Sequence, residues 1–269
     1  MSTALSANNR RGELWARLTR VNDPELDEPV TDMGFVERAE VMQNGSVEVD
    51  FRLPTYWCSP SFAFLMLDGI RQALDGLSWA PAYTIRLHDH MFADEVNRGI
   101  AAGKPFSLIF DELSSDQDID ALRETFRVKA FKRRQEAVLL ALRKQGLTDS
   151  EILGMDLSSF DAATVGGDEA EAMKSRYREA LIERWPGRKG CEPAFVTWDN
   201  REIPPDAFGA YLAELRAVRI NMEFNGALCR GLKATRYKEM DVVDGEPTLV
   251  DFMLDRVPPR NCTGRHVQR

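Results

Sequence analysis

The chain is poor in the features that would place it in a membrane, on a nucleic acid or in a disulfide scaffold. None of its apolar runs approaches the roughly 18 residues that suggest a membrane span. The opening stretch MSTALSANNRRGELW has no apolar core of signal-peptide length. Positive charge is short: 35 Lys and Arg stand against 43 Asp and Glu, for a net charge of −8. That balance argues against a general nucleic-acid binder, whose affinity rests on neutralised phosphates. Cys58, Cys191, Cys229 and Cys262 lie far apart and form no CxxC pair, so a disulfide framework is not indicated. Reduced thiols in a cytoplasmic protein are the expectation. Repeats and low-complexity tracts are also missing. What is present is 43% hydrophobic and 29% charged residues in 269 positions, the profile of a chain that folds into one large or two small domains.

The first hundred residues change periodicity several times. Leu14, Leu18 and Val21 recur at helical spacing. NDPELDEPV then reads as an acidic loop, with Pro24 and Pro29 ending the helix. Two strand-like runs, GFVERAEVM and SVEVDFRL, flank Asn44-Gly45, a hairpin signal. In the second run Val47, Val49, Phe51 and Leu53 alternate with polar residues, which predicts one buried face. Ala63, Met66, Leu67, Ile70, Leu74 and Leu77 predict a helix, with Ser59 as N-cap and Pro60 at its first position. AYTIRLHDH alternates again and puts His88 and His90 on one strand face. The remainder reads as helices: 119–144 with a stripe of Ile119, Leu122, Phe126, Ala130 and Ala137; a short helix with a Thr148/Glu151 capping box; one stopped by Pro186-Gly187; and a last long one. DELSSDQDID is an acidic linker, and the stretch after about 236 is polar and irregular. The predicted fold class is α+β. A small α-β-β-α-β domain with a mixed sheet spans 10–104, and a mainly helical domain spans 115–260.

Chemistry concentrates at one predicted edge. A strand, a helix and a following parallel strand form a βαβ unit, whose strand C-termini share an edge that favours ligands. Cys58 follows the first of those strands and precedes the helix N-terminus, where a thiolate is favoured by the helix dipole. His88 and His90 end the second strand. Cys58, His88 and His90 are therefore the candidate metal or thiol site. Asp27 and Glu28 read as a solvated turn and cap. Cys229 falls on a stripe with Leu215, Val218 and Met222 and reads as core, whereas Cys191 and the pair Cys262 and His266 lack a ligand set. RVKAFKRR reads as solvated helix surface, with a protein-docking face as the second reading, and FVTWDN as packing.

DPEL at Asp23–Leu26, DMGFV at Asp32–Val36 and TYWCSP at Thr55–Pro60 occur in the order and spacing of the landmarks of the metal–sulfur cluster assembly factor family, which includes PaaD-like proteins. Residues 10–92 resemble that family. Trp57 stands where the family usually has Gly, and Ser59 separates Cys58 from Pro60. The resemblance implies a small α/β domain that helps mature iron–sulfur or related metalloproteins. It implies Cys58 as the functional residue, with Asp23, Glu25, Asp32, Thr55 and Trp57 in the supporting loops. It also implies iron or an iron–sulfur cluster as a transient cofactor, and a client metalloprotein or other assembly factors as partners. An oxygenase is one client class. A membrane and nucleic acid are not expected as partners, and a homodimer is left open. Two other readings stand beside this one: a cysteine-dependent enzyme with Cys58 as nucleophile and His88 or His90 as base, and a structural or chaperone-like protein whose thiol is inert.

Overall fold

A computed structural model describes residues 7–110 and 119–236. The expected linker at 111–118 and the tail with Cys262 and His266 lie outside the described residues. Within them the chain forms two compact units. Residues 7–110 together with 225–236 make one, and 119–224 make the other. The expected helical domain thus ends at 224 as a compact unit, because the last turns of its final helix cluster with the N-terminal segment.

The first unit is α+β with a mixed sheet. It begins with α1 (Ala7–Leu18), followed by the short strands β1 (Asn22–Asp23) and β2 (Glu28–Pro29). These two pair antiparallel, so the stretch expected to be a plain acidic loop is a small ribbon. Asp27 closes it with a left-handed φ of 53° and is buried, not solvated as the sequence suggested. Its carboxylate accepts a hydrogen bond from Asn22 Nδ2 at 3.1 Å, which satisfies the buried acid locally.

β3 (Val36–Val41) and β4 (Val47–Arg52) form the hairpin signalled by Asn44-Gly45, and Gly45 adopts a φ of 83°. α2 (Pro60–Asp75) crosses to β5 (Tyr83–His88), which lies parallel to β4, so β4 is the central strand. Its alternation explains the core. Val47, Val49 and Phe51 are fully buried on one face, where they join Leu14, Leu18, Ala63, Ile70 and Leu74. Burying each such large aliphatic or aromatic side chain contributes about 1.5–3 kcal/mol. The opposite sheet face is charged. Arg38 binds Asp50 at 2.6 Å, Glu48 at 2.7 Å and Glu40 at 3.2 Å. α3 (Ala93–Ala101) and the single turn α4 (Phe106–Ile109) follow β5.

The second unit is helical: α5 (Ile119–Lys144), α6 (Asp149–Leu153), α7 (Leu157–Ala162), α8 (Asp168–Arg184) and the start of α9 (Phe208–Arg236). The Thr148/Glu151 capping box is present. On α5 the buried stripe is Phe131, Gln135, Val138, Leu139 and Leu142, with Phe126 before it. Ala130 and Ala137 are only half-buried, because the bulky residues one position on supply the contact area. Phe131, Phe160, Tyr177 and Phe195 form an aromatic core, with the Tyr177 and Phe195 rings stacked at 5.7 Å. FVTWDN packs as expected: Phe195 and Val196 are buried and Trp198 meets Phe131 at 5.3 Å.

Candidate functional site

The loop between β4 and α2 carries Cys58. Ser59 occupies the N-cap of α2 and Pro60 opens it. The Ser59 side chain does not cap the helix; its hydroxyl meets that of Ser61 at 2.7 Å. The half-buried Cys58 lies just before that helix end, and its Sγ lies 3.0 Å from Thr55 Oγ1. Tyr56, Trp57 and Met91 stand exposed around it, Trp57 by 73%. Its two bulky neighbours in the loop therefore face solvent, not the core.

His90 fixes this loop from beneath. It is buried, and its Nε2 lies 2.7 Å from the carbonyl oxygen of Cys58. Its Nδ1 accepts from the Phe92 backbone N–H at 3.2 Å. An accepting Nδ1 carries no proton, so Nε2 holds it and donates to Cys58. Burial lowers the pKa of His90, which favours the same neutral tautomer, and nearby Arg236 acts in the same direction. Met91 N–H donates to the Tyr56 carbonyl at 2.9 Å, a second tie between the two loops.

His88 does not join them. β5 ends at His88, and Asp89 takes a left-handed φ of 48°. That turn breaks the alternation, so the expected shared face of His88 and His90 is not formed. His88 Nε2 lies 2.9 Å from Asp50 Oδ1 on the charged sheet face. Of the two imidazoles, only His90 meets Cys58, and it does so at the backbone. Both of its ring nitrogens are engaged by main-chain groups, so it positions the thiol loop and is not arranged as a base for Sγ.

The ribbon supplies carboxylates. Buried Asp23 accepts the N–H groups of Glu25 and Leu26 through Oδ1, both at 2.9 Å. Desolvation outweighs those bonds and raises its pKa to about 6. Asp32 is exposed, and its carboxylate accepts from the Thr31 hydroxyl at 3.2 Å. Gly34, in the DMGFV stretch, needs its φ of 66°, and a methyl group there would meet Lys233 Nζ at 2.8 Å.

Lys233 belongs to the end of α9, where periodicity alone misassigned the partner. Asn225 Nδ2 donates to Glu25 at 3.2 Å, and Arg230 pairs with Glu28 at 2.6 Å. Arg236 donates to the Leu53 and Asp89 carbonyls at 3.3 and 2.8 Å. Cys229 sits between these anchors, half-buried and not in a core. Burial and the charges of Asp23, Cys58 and Glu25 push its thiol up to about 11, against the opposing pull of Arg230. The sequence placed Cys229 on the right stripe; no pattern of spacing says that the stripe meets the ribbon. Cys191 is exposed on the helical unit. Among the described residues no group of three or more His, Cys, Asp or Glu is arranged to hold a metal ion.

Comparison with known proteins bears on this edge. Residues 11–82 match the family model of iron-sulfur cluster assembly proteins. The matched segment runs from α1 through α2 and includes the ribbon, the hairpin and the Cys58 loop. No curated protein and no solved structure matches the chain. The assembly-protein match supports a role in iron–sulfur cluster assembly or maturation, and with it interaction with clients or other assembly factors. No helix among the described residues is long and apolar enough to cross a membrane.

Proposed function

We propose that the protein is an accessory factor in the maturation of an iron–sulfur or iron-dependent oxygenase-type client, and that it acts through Cys58. The observation that carries this reading is the Cys58 loop within the matched segment. The thiol is half-exposed at a helix N-terminus, its backbone is pinned by buried His90, and its rim is apolar. A pinned loop holds a sulfur donor in one place, while exposed Tyr56, Trp57 and Met91 suit a protein partner that must come close to it. Iron or a cluster is the cargo here and would be bound transiently.

The helical unit supports the docking part of the reading. On its part of α9, Ile220 and Phe224 are exposed at four-residue spacing, an apolar pair of the kind that protein partners cover. The test is co-expression of a candidate client with wild-type or Cys58→Ser protein at equal levels. Serine is nearly isosteric but supplies no thiolate near neutral pH. Client iron content and activity are expected to fall to the level without the factor. Equal metallation with both proteins would remove Cys58 from the mechanism.

A further inference from the structure

β5 is an outer strand of the three-stranded sheet, so every second residue turns its main-chain groups away from β4. Two sets of bonds fix which residues these are. Val47 N–H donates to the Ala82 carbonyl at 2.9 Å, so the even-numbered residues face β4. Leu87 faces outward: its N–H donates to Asn97 Oδ1 at 2.7 Å, and its carbonyl accepts from Asn97 Nδ2 at 3.0 Å. The carboxamide of Asn97, on α3, thus takes the place of one peptide unit of a further strand. Tyr83 and Ile85 share the parity of Leu87. Among the described residues nothing pairs with their outward N–H and C=O groups. A row of open groups of this kind is a template for another strand. Beside it lies a groove of about 570 Å3, between Tyr83 and Ile85 on one side and Ile100, Ala101, Ala102 and Gly103 at the end of α3 on the other. Tyr83 pairs with Val47, so the groove flanks the start of β4, whereas Cys58 follows its end.

We propose that the open edge of β5 docks an extended segment of a partner protein as a fourth strand, and that this segment alternates apolar with acidic residues. The main-chain groups of Tyr83 and Ile85 supply pairing that any extended chain can meet, and the side chains select which chain does. A residue opposite Ile85 puts its side chain on the face of Ile85, into the groove and against Ile100. The small side chains of Ala101 and Ala102 and the bare Gly103 leave it room. Residues one position away fall on the opposite face, beside Thr84 and Arg86. Arg86 is half-exposed, and its guanidinium stands 3.7 Å from Glu48, whose carboxylate is already bonded to Arg38 at 2.7 Å. Arg86 therefore has donors to offer an acid on the incoming strand. The far rim makes no such demand: Asp75 accepts from Tyr83 Oη at 2.6 Å and from Arg71 at 2.9 Å, so these groups satisfy one another. The groove stands apart from the thiol loop, which makes it an anchor for a partner, and it does not depend on the role of Cys58.

The test adds a dye-labelled hexapeptide of alternating valine and aspartate to the full-length chain. Fluorescence anisotropy reads binding, and amide hydrogen exchange is followed at Tyr83 and Ile85. Saturable binding is expected, with exchange at both amides slowed by the peptide. Methylating the main-chain nitrogens on either edge of the peptide in turn is expected to abolish binding for one edge, because those N–H groups are the donors to β5. Replacing its aspartates with lysines is expected to weaken binding by about fivefold, the scale of a cross-strand charge pair. Arg86→Glu is expected to reverse that preference, a result that loss of fold cannot mimic. Ala101→Tyr fills the groove from an exposed helical position and is expected to abolish binding, with circular dichroism reporting its fold. Absence of saturable binding, or binding indifferent to methylation of both edges, would overturn the proposal. A preference that Arg86→Glu leaves unreversed would overturn the acidic partner. Tyr83 and Ile85 amides already protected before the peptide is added would also overturn it. Protection that grows with protein concentration would assign the edge to a second copy, and protection at every concentration to the chain itself.

Discussion

The two units differ in the partners they give their buried polar groups. In the helical unit, fully buried Gln135 is satisfied on both sides of its amide. Its Nε2 donates to Tyr177 Oη and the Val196 carbonyl at 2.9 and 2.8 Å, and its Oε1 accepts from Tyr211 at 2.6 Å. Tyr177 in turn donates to the Ala194 carbonyl at 2.8 Å. These groups are neutral, and aromatic rings surround them. A satisfied neutral network costs little and specifies one packing. In the sheet-bearing unit the buried polar residues include Asp23 and His90, both titratable, and His90 meets the backbone of half-buried Cys58. Burying an ionisable group is expensive. The unit matched to the assembly family accepts that cost at its loop edge with main-chain partners, while the helical unit also pairs its buried charges directly, Glu136 with Arg219 at 2.7 Å and Lys174 with the Asp161 carbonyl at 3.1 Å.

The comparison breaks first at Phe131. It packs against Tyr177, Trp185 and Trp198. Phe131→Ala is expected to destabilise the helical unit by about 3–5 kcal/mol, followed in urea by tryptophan fluorescence. A loss below about 1 kcal/mol would mean that the aromatic core is not what organises this unit.

Asp23 sharpens the other side. Its folded pKa is raised from 3.8 to about 6, so over that window the folded state binds more protons than the unfolded one. Stability attributable to Asp23 therefore falls as pH rises through the window, by at most about 1.4 kcal/mol per pH unit. Above the window the whole penalty persists. Asp23→Asn keeps an acceptor for the Glu25 and Leu26 N–H groups and removes the charge. Denaturation midpoints measured from pH 4 to 7 are expected to lose this slope. An identical slope in both proteins would show that Asp23 is not desolvated in solution.

The smallest effect is at Gly34. Gly34→Ala is expected to cost about 1–2 kcal/mol for the left-handed backbone alone. Because Lys233 Nζ also stands where the methyl would go, Lys233→Ala in the same chain should recover part of the loss but not all of it. Complete recovery in thermal unfolding would assign the effect to crowding and not to the backbone.

Legibility followed locality. The alternation of Val47, Val49 and Phe51, the Asn44-Gly45 turn, the Pro60 start of α2 and the Thr148/Glu151 box are decided by residues within a few positions of one another, and each is present. Cys58 was marked by its place after a strand and before a helix. What could not be read depends on partners far along the chain or on a single dihedral. Glu25 and Asn225 are 200 residues apart, and nothing local announces their bond. Asp27 looks solvated because it is an acid among acids, yet it is buried and accepts a hydrogen bond from Asn22. His90 was given the face of His88 because alternation was carried two residues too far.

Asp89 has a wider consequence. In an extended chain, the side on which a residue emerges is a matter of parity, odd to one wall and even to the other. A left-handed residue acts like a change of sign in that count, without adding or deleting an atom of sequence. The single φ of 48° at Asp89 separates two histidines that share parity, sending one to the charged sheet face and the other under the Cys58 carbonyl. Two chemically identical side chains two residues apart thus act in different environments, one beside a carboxylate and one among main-chain dipoles.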